Sequence, residues 1–241
     1  MSRSWVSTAK GAYVGVARGS GRALEATRLM PAEAPERGHR TRHWLYTLTH
    51  VYDSSALARI DVPWWTYRAI DVVETWLGSR TVPARVFEFG SGASTPWLAQ
   101  RSGEVHSVEH HAEFAASIGP LLSPFANVVL HVEPPVASPN PQTPSAKEDY
   151  AGLDFTAYVS TIDAVDGEFD MVVIDGRARE ACLDRAVPRL APGGLVVFDN
   201  SRRRRYREAI ERSGLQEQVL TGLTPTLPYS EQTSLLYRGR G

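Results

Sequence analysis

Val86-Phe87-Glu88-Phe89-Gly90-Ser91-Gly92-Ala93-Ser94-Thr95 is an apolar run that halts at two closely spaced glycines and resumes in small polar residues. It reads as a strand entering a tight turn, with a helix beginning near Ser94. Gly90 and Gly92 permit backbone conformations, and a closeness of approach, that a Cβ would block. The turn and the helix N-terminus together offer unpaired N–H groups, which suit a carboxylate or a phosphate. A single Gly-x-Gly is common, and Thr95 stands where the dinucleotide fingerprint has a third glycine. The weight therefore falls on the surrounding pattern.

Glu109 follows Gly90 by nineteen positions and ends the next strand-like run. In a nucleotide-binding βαβ unit that is where an acid meets the ribose hydroxyls. Outward from this pair, β-branched and apolar runs recur at residues 85–89, 104–109, 128–132, 171–175 and 195–199, with helix-compatible stretches between most of them. Such alternation predicts βα units and a parallel sheet with right-handed crossovers. Two last strand-like runs, 217–221 and 233–237, have no helix between them and predict a hairpin-like end. Upstream, helices are expected over 41–52 and 65–77, separated by Asp61-Val62-Pro63; Ala69, Ile70, Val73, Trp76 and Leu77 recur at helical spacing in the second.

Residues 1–43 form a flexible or loosely helical arm in which Arg3, Lys10, Arg18, Arg22 and Arg28 read as a solvated face, and residues 44–241 form the α/β domain. Residues 131–154 carry Pro134, Pro135, Pro139, Pro141 and Pro144 and are too long for an ordinary connection. They read equally as a lid or as a disordered insertion. With 241 residues, 42% hydrophobic and 22% charged, and a formal net charge of −1, nothing global draws the chain to nucleic acid or an anionic membrane. A small-molecule partner is expected. Cys182 is the only cysteine, which excludes an internal disulfide and fits a reducing compartment. No apolar run is long enough for a membrane span or a signal core, so the expectation is cytoplasmic. Lys10 and Lys147 are the only lysines, an arginine bias read as that of a high-GC bacterial genome.

The residues from about 83 to 238 resemble the class I S-adenosylmethionine-dependent methyltransferases. Glu88-Phe89-Gly90-Ser91-Gly92 is similar to their first motif, Ser107-Val108-Glu109 to their second, and residues 169–176 to their fourth strand. Leu190-Ala191-Pro192-Gly193-Gly194, running into residues 195–199, is similar to their L-x-P-G-G turn and fifth strand. The resemblance implies a doubly wound, seven-stranded Rossmann-like sheet of order 3-2-1-4-5-7-6 with the seventh strand antiparallel. It also implies S-adenosylmethionine over the C-terminal strand ends, held by Glu88, Phe89, Gly90, Ser91, Gly92, Ser94, Glu109, Asp175 and Gly176. His110 either packs against the adenosine or is an ordinary loop histidine, and His111 starts the next helix.

Asp175, Asp199 and Asn200 put three oxygen donors at neighbouring strand ends, a set that suits Mg²⁺. This resembles the metal-dependent catechol-type O-methyltransferases, although Ala178 stands where those enzymes carry a lysine. The competing reading has Asp175 positioning the cofactor while Asp199 and Asn200 cap the following helix. If the acceptor is a hydroxyl, Asp175 or a metal held beside it is the candidate for deprotonation, with Arg177 or Arg179 supplying charge only. Of the run Arg202-Arg203-Arg204-Arg205, one residue, Arg202 or Arg205, is a candidate to reach the site mouth and favour an acidic substrate. Aromatic residues at 64–67 and 227–229 read as core first and as pocket walls second, and exposed aromatics near the N-terminal helices would suit a homodimer. The expected function is methylation of a small-molecule hydroxyl. The alternatives are an NAD-linked oxidoreductase, opposed by Glu88 and Thr95, and a cofactor-binding protein without catalysis.

Overall fold

The computed structural model describes residues 33–49 and 54–239. The first 32 residues of the expected arm, with their five cations, lie outside the described residues. In place of one helix over 41–52 there is α1 (Arg40–Thr47), whose end is marked by the Thr47 and Thr49 hydroxyls donating back to the carbonyls of Trp44 and Tyr46. A short α2 (Ser54–Arg59) comes next, and α3 (Tyr67–Gly78) begins two residues later than its periodicity predicts. Thr66 is the reason: its hydroxyl accepts from the Ala69 N–H and caps the helix, while Trp65 is fully buried ahead of it.

The βα alternation then runs as expected: β1 (Arg85–Phe89), α4 (Ser94–Ala99), β2 (Glu104–Glu109), α5 (Ala112–Leu122) and β3 (Val128–Val132). The proline-rich segment folds back on itself. β4 (Val136–Ala137) pairs antiparallel with β5 (Leu153–Asp154), and Asp154 accepts from the Gln142 and Thr156 N–H groups. After α6 (Thr156–Ser160) come β6 (Phe169–Ile174), α7 (Arg179–Arg189), β7 (Leu190–Asp199), α8 (Arg204–Arg212), β8 (Gln216–Gly222) and β9 (Glu231–Tyr237).

The main sheet has the order β3-β2-β1-β6-β7-β9-β8. Without the two short strands of the proline-rich segment, this is 3-2-1-4-5-7-6. β9 runs antiparallel to both of its neighbours, and the other pairings are parallel. Alternation along each strand divides the core in two. Phe87, Phe89, Phe169, Val172, Ile174, Val196 and Phe198 face Phe155, Tyr158 and α7–α8. Val86, Val105, Met171, Val173, Leu195, Val197 and Leu235 face Trp65, α3 and Trp97. Trp44 and Trp76 pack against that second cluster, so the aromatics near the N-terminal helices serve the core. Among the described residues no helix is long and apolar enough to cross a membrane.

Candidate active site

Two parallel strands end side by side and their loops touch. The Gly90 N–H donates to Val108 O, and the Asp175 N–H donates to Phe89 O. Gly90 has φ +96°, and a Cβ there would lie 2.6 Å from the Gly176 Cα. A side chain at Gly176 would run into the Tyr158 hydroxyl. Both glycines are needed because two backbones cross where the sheet changes winding direction.

Glu88 lies beneath this crossing with no exposure. Its carboxylate accepts from the Ser94 hydroxyl, from Thr95 Oγ1 at 2.6 Å and from Ser107 Oγ at 2.6 Å. Burial raises its pKa to about 7, against the pull of those three donors, and the charge of Asp175 adds to the rise. Thr95 also accepts from the Gly92 N–H at 3.0 Å, so the residue in place of a third glycine ties the loop to the acid below it.

Above the loop a cavity of about 450 Å³ is lined by Gly90, Ser91, Gly92, Ala93, Ser94, Glu109, Asp175 and Gly176, and walled by Trp64, His110, His111, Phe114, Tyr150 and Arg177. That volume is within the range of small-molecule and cofactor sites. Eight of the ten residues expected at the cofactor converge on it. Glu88 and Phe89 do not: Glu88 is engaged from below by hydroxyls, and Phe89 points into the core because strand side chains alternate.

His110 is 8% exposed, which corrects the reading of an ordinary loop histidine. Its Nδ1 is 2.8 Å from Glu109 Oε1 and its Nε2 is 3.0 Å from the Tyr150 hydroxyl. Glu109 Oε1 also accepts from the His111 N–H at 2.8 Å. No hydrogen bond engages Oε2 among the described residues. His111 caps α5, as expected, by accepting the Phe114 N–H.

Arg179 forms the floor on the other side. It is 5% exposed, donates to Asp175 Oδ1 at 2.8 Å, and bonds the carbonyls of Asp175, Gly176 and Asp199. Burial raises the pKa of both Asp175 and Asp199, with Arg179 opposing it at each. Asp199 Oδ1 accepts from Thr233 Oγ1 at 2.8 Å, and α8 is capped by Arg203 with no side-chain bond. Asp199 and Asn200 therefore do not cap the helix, because the helix starts later than its arginine run suggests. They line a smaller cavity of about 190 Å³ with Trp64, Asp175, Arg203, Thr226, Leu227, Tyr229 and Glu231. Among the described residues no group of three or more His, Cys, Asp or Glu is placed to hold a metal ion.

The lining residues that sequence reasoning missed are Ala93, His111, Phe114 and Tyr150. Tyr150 had a signal, an aromatic in a segment long enough to be a lid; Phe114, on the first turn of a largely apolar helix where it reads as core, had none.

Residues 87–201 match the family model described as "Methyltransferase domain". A comparison with the curated proteins finds no match. Among solved structures, the chain is similar to a SAM-dependent O-methyltransferase from Thermotoga maritima, at 14% identity over 71% of this chain and 65% of that one, with a TM-score of 0.46. It is also similar to an rRNA methylase from Streptococcus thermophilus, at 12% identity over 71% and 96% of the two chains, TM-score 0.47. A precorrin 8W decarboxylase from Methanobacterium thermoautotrophicum aligns at 16% identity over 74% and 93%, TM-score 0.49.

Proposed function

From the premise that residues 87–201 are a methyltransferase domain, and the chain an S-adenosylmethionine-dependent methyltransferase, we propose that it methylates a hydroxyl of a small-molecule acceptor. The observation that carries this reading is that the larger and smaller cavities share Trp64 and Asp175. A cofactor in one and an acceptor in the other would meet at that wall.

The larger cavity fits the cofactor. The glycine loop leaves room for close approach, Glu109 Oε2 is available to ribose hydroxyls, and His110, Phe114 and Tyr150 offer apolar surface for an adenine. Glu88 acts from below by fixing the loop. The cofactor supplies the activated methyl group, so the protein's task is alignment and removal of the acceptor proton. Asp175 is the candidate base: it borders both cavities, burial raises its proton affinity, and Arg179 keeps it in place.

A divalent ion on Asp175, Asp199 and Asn200 is the second reading, favoured by their shared cavity. It is the weaker one, because the Arg179 guanidinium already meets one Asp175 oxygen and adds positive charge beside Asp199. The single buried thiol fits a cytoplasmic enzyme.

The test is calorimetric titration with S-adenosylhomocysteine, followed by turnover on hydroxyl acceptors. Glu109→Ala weakens binding by about 10- to 100-fold, the loss of one or two charge-assisted hydrogen bonds. Asp175→Asn lowers kcat by about 10²–10⁴ and leaves that affinity within a few-fold. Unchanged turnover in Asp175→Asn would remove the base, and loss of activity in EDTA restored by Mg²⁺ would favour the metal.

A further inference from the structure

A third cavity, of about 310 Å³, opens beside the other two, and its charge is one-sided. Lys147, Arg177, Arg179, Arg203 and Arg205 line it against a single acid, Glu180. Two of these cations are already committed. Arg179 is ion-paired with Asp175, and Lys147 lies 3.7 Å from Asp149. The other three form no close ion pair with a carboxylate among the described residues, although the charges of Arg177 and Arg203 reach Asp175. Arg177 donates to the Gly176 carbonyl at 3.2 Å and Arg205 to the Tyr206 hydroxyl at 3.0 Å, both neutral acceptors.

Several arginines elsewhere meet carboxylates, while others, such as Arg189 and Arg238, donate to backbone carbonyls. Arg101 meets Asp61 and Glu74, Arg207 meets Glu217, and Arg212 meets Asp184. Unpaired guanidinium groups gathered around a concavity repel one another, and an oxyanion relieves that repulsion through bidentate hydrogen bonds.

Position links this cluster to the reaction. Arg203, Trp64 and Asn200 line both the basic cavity and the acceptor cavity. Arg177, Trp64 and Gly176 line both the basic cavity and the cofactor cavity. We propose that the acceptor carries an oxyanion, a carboxylate or a phosphate, that docks between Arg177 and Arg203 while its hydroxyl is directed past Trp64 to Asp175. The enzyme thereby selects small anionic hydroxy compounds. This rests on the reading of the acceptor as a small-molecule hydroxyl.

The cofactor's own carboxylate is the competing source of the same chemistry, so the test begins with protein saturated in S-adenosylhomocysteine. Benzoate, phenyl phosphate and phenol are titrated by calorimetry into the wild type, Arg203→Gln and, as a control from the same run outside every cavity described, Arg202→Gln. The expected result is that at least one anion binds ten-fold or more tighter than phenol, that Arg203→Gln removes the difference, and that Arg202→Gln keeps it. Stronger binding of phenyl phosphate than benzoate identifies a phosphate. Affinity for S-adenosylhomocysteine is unchanged in both variants, which shows that they fold.

Equal loss in both variants, or anion binding only without S-adenosylhomocysteine, overturns the proposal; the second hands the arginines to the cofactor. Displacement of benzoate by a short single-stranded RNA at lower concentration than by phenyl phosphate overturns the small acceptor. Arg203-dependent binding of benzoate in a protein that methylates no hydroxyl would sink the hydroxyl reading and leave the oxyanion site standing.

Discussion

The wall proposed for the cofactor and the wall proposed for the acceptor meet at Asp175 but are made of different material. On one side, Gly90, Gly92 and Gly176 present backbone, and the polar groups beneath them are closed among themselves in the Glu88, Ser94, Thr95 and Ser107 cluster. On the other side, Arg177, Arg203, Leu227 and Tyr229 reach in from loops and helix ends, and the guanidinium groups make no close ion pair among the described residues, acting on Asp175 only at longer range. A ligand shared by a whole family can be met by backbone, which tolerates few sequences. A ligand particular to one enzyme is met by side chains on loops, where substitution disturbs no core.

Arg179 joins the two walls, so its loss is the severest way to break the comparison. Arg179→Met leaves Asp175 and three carbonyls facing a gap, and stability falls by about 3–5 kcal/mol in urea unfolding. A change below about 1 kcal/mol would mean that the walls stand independently. On the cofactor side alone, Gly90→Ala forces a left-handed φ on alanine and a Cβ onto Gly176, costing about 3 kcal/mol and abolishing S-adenosylhomocysteine binding. Retained binding would show that the crossing has room to relax.

Glu88 sharpens the comparison through pH. Its pKa rises from an ordinary 4.5 unfolded to about 7 folded, so the native state holds an extra proton between those values. Stability is therefore greatest below about pH 4.5 as far as this group is concerned, falls as pH rises through 7, and levels above it, a loss of at most roughly 3 kcal/mol. Urea midpoints of Glu88→Gln lack that decline; an unaltered slope would assign it to other groups. The smallest effect belongs to Tyr150, which touches the site from the proline-rich segment. Tyr150→Ala weakens S-adenosylhomocysteine by about 1 kcal/mol, or roughly five-fold, without changing the urea midpoint, if the segment closes over the ligand.

The sheet was legible because short runs holding apolar, β-branched residues recur at βα spacing, even at the half-exposed edge strand β3: β1, β2 and β3 fall on the expected residues, and β6 starts two residues early because Phe169 joins the core. The glycine loop and Glu109 were legible because their spacing follows from the geometry of a βα unit. The partners of the Glu88 carboxylate were not legible, for a geometric reason. Its position in the motif was clear, but the three hydroxyls that turn it inward come from α4 and β2 and are brought together only by the fold. Of the two arginines singled out in the four-arginine run, Arg205 lines the basic cavity and Arg202 does not, while Arg203 lines it without having been singled out, since that depends on α8 starting at Arg204. The N-terminal pair of helices was least legible, because α1 has little apolar periodicity of its own and is held by contacts such as Trp44 Nε1 to the Leu227 carbonyl.

The insertion of β9 between β7 and β8 has a consequence for how the chain is made. β7 supplies Asp199 to the site, yet its free edge is sealed by a strand that is translated last among the nine. While the chain is growing, residues 190–199 therefore expose an apolar edge that other chains could extend, and the fold waits on contacts that are distant in sequence. Nascent chains arrested at residue 230 should be cleaved readily by protease and should not retain S-adenosylhomocysteine, whereas chains arrested well beyond Tyr237 should be resistant. Synthesis, on this topology, reaches the residues of the cofactor loop early and the competence to use them only at the end.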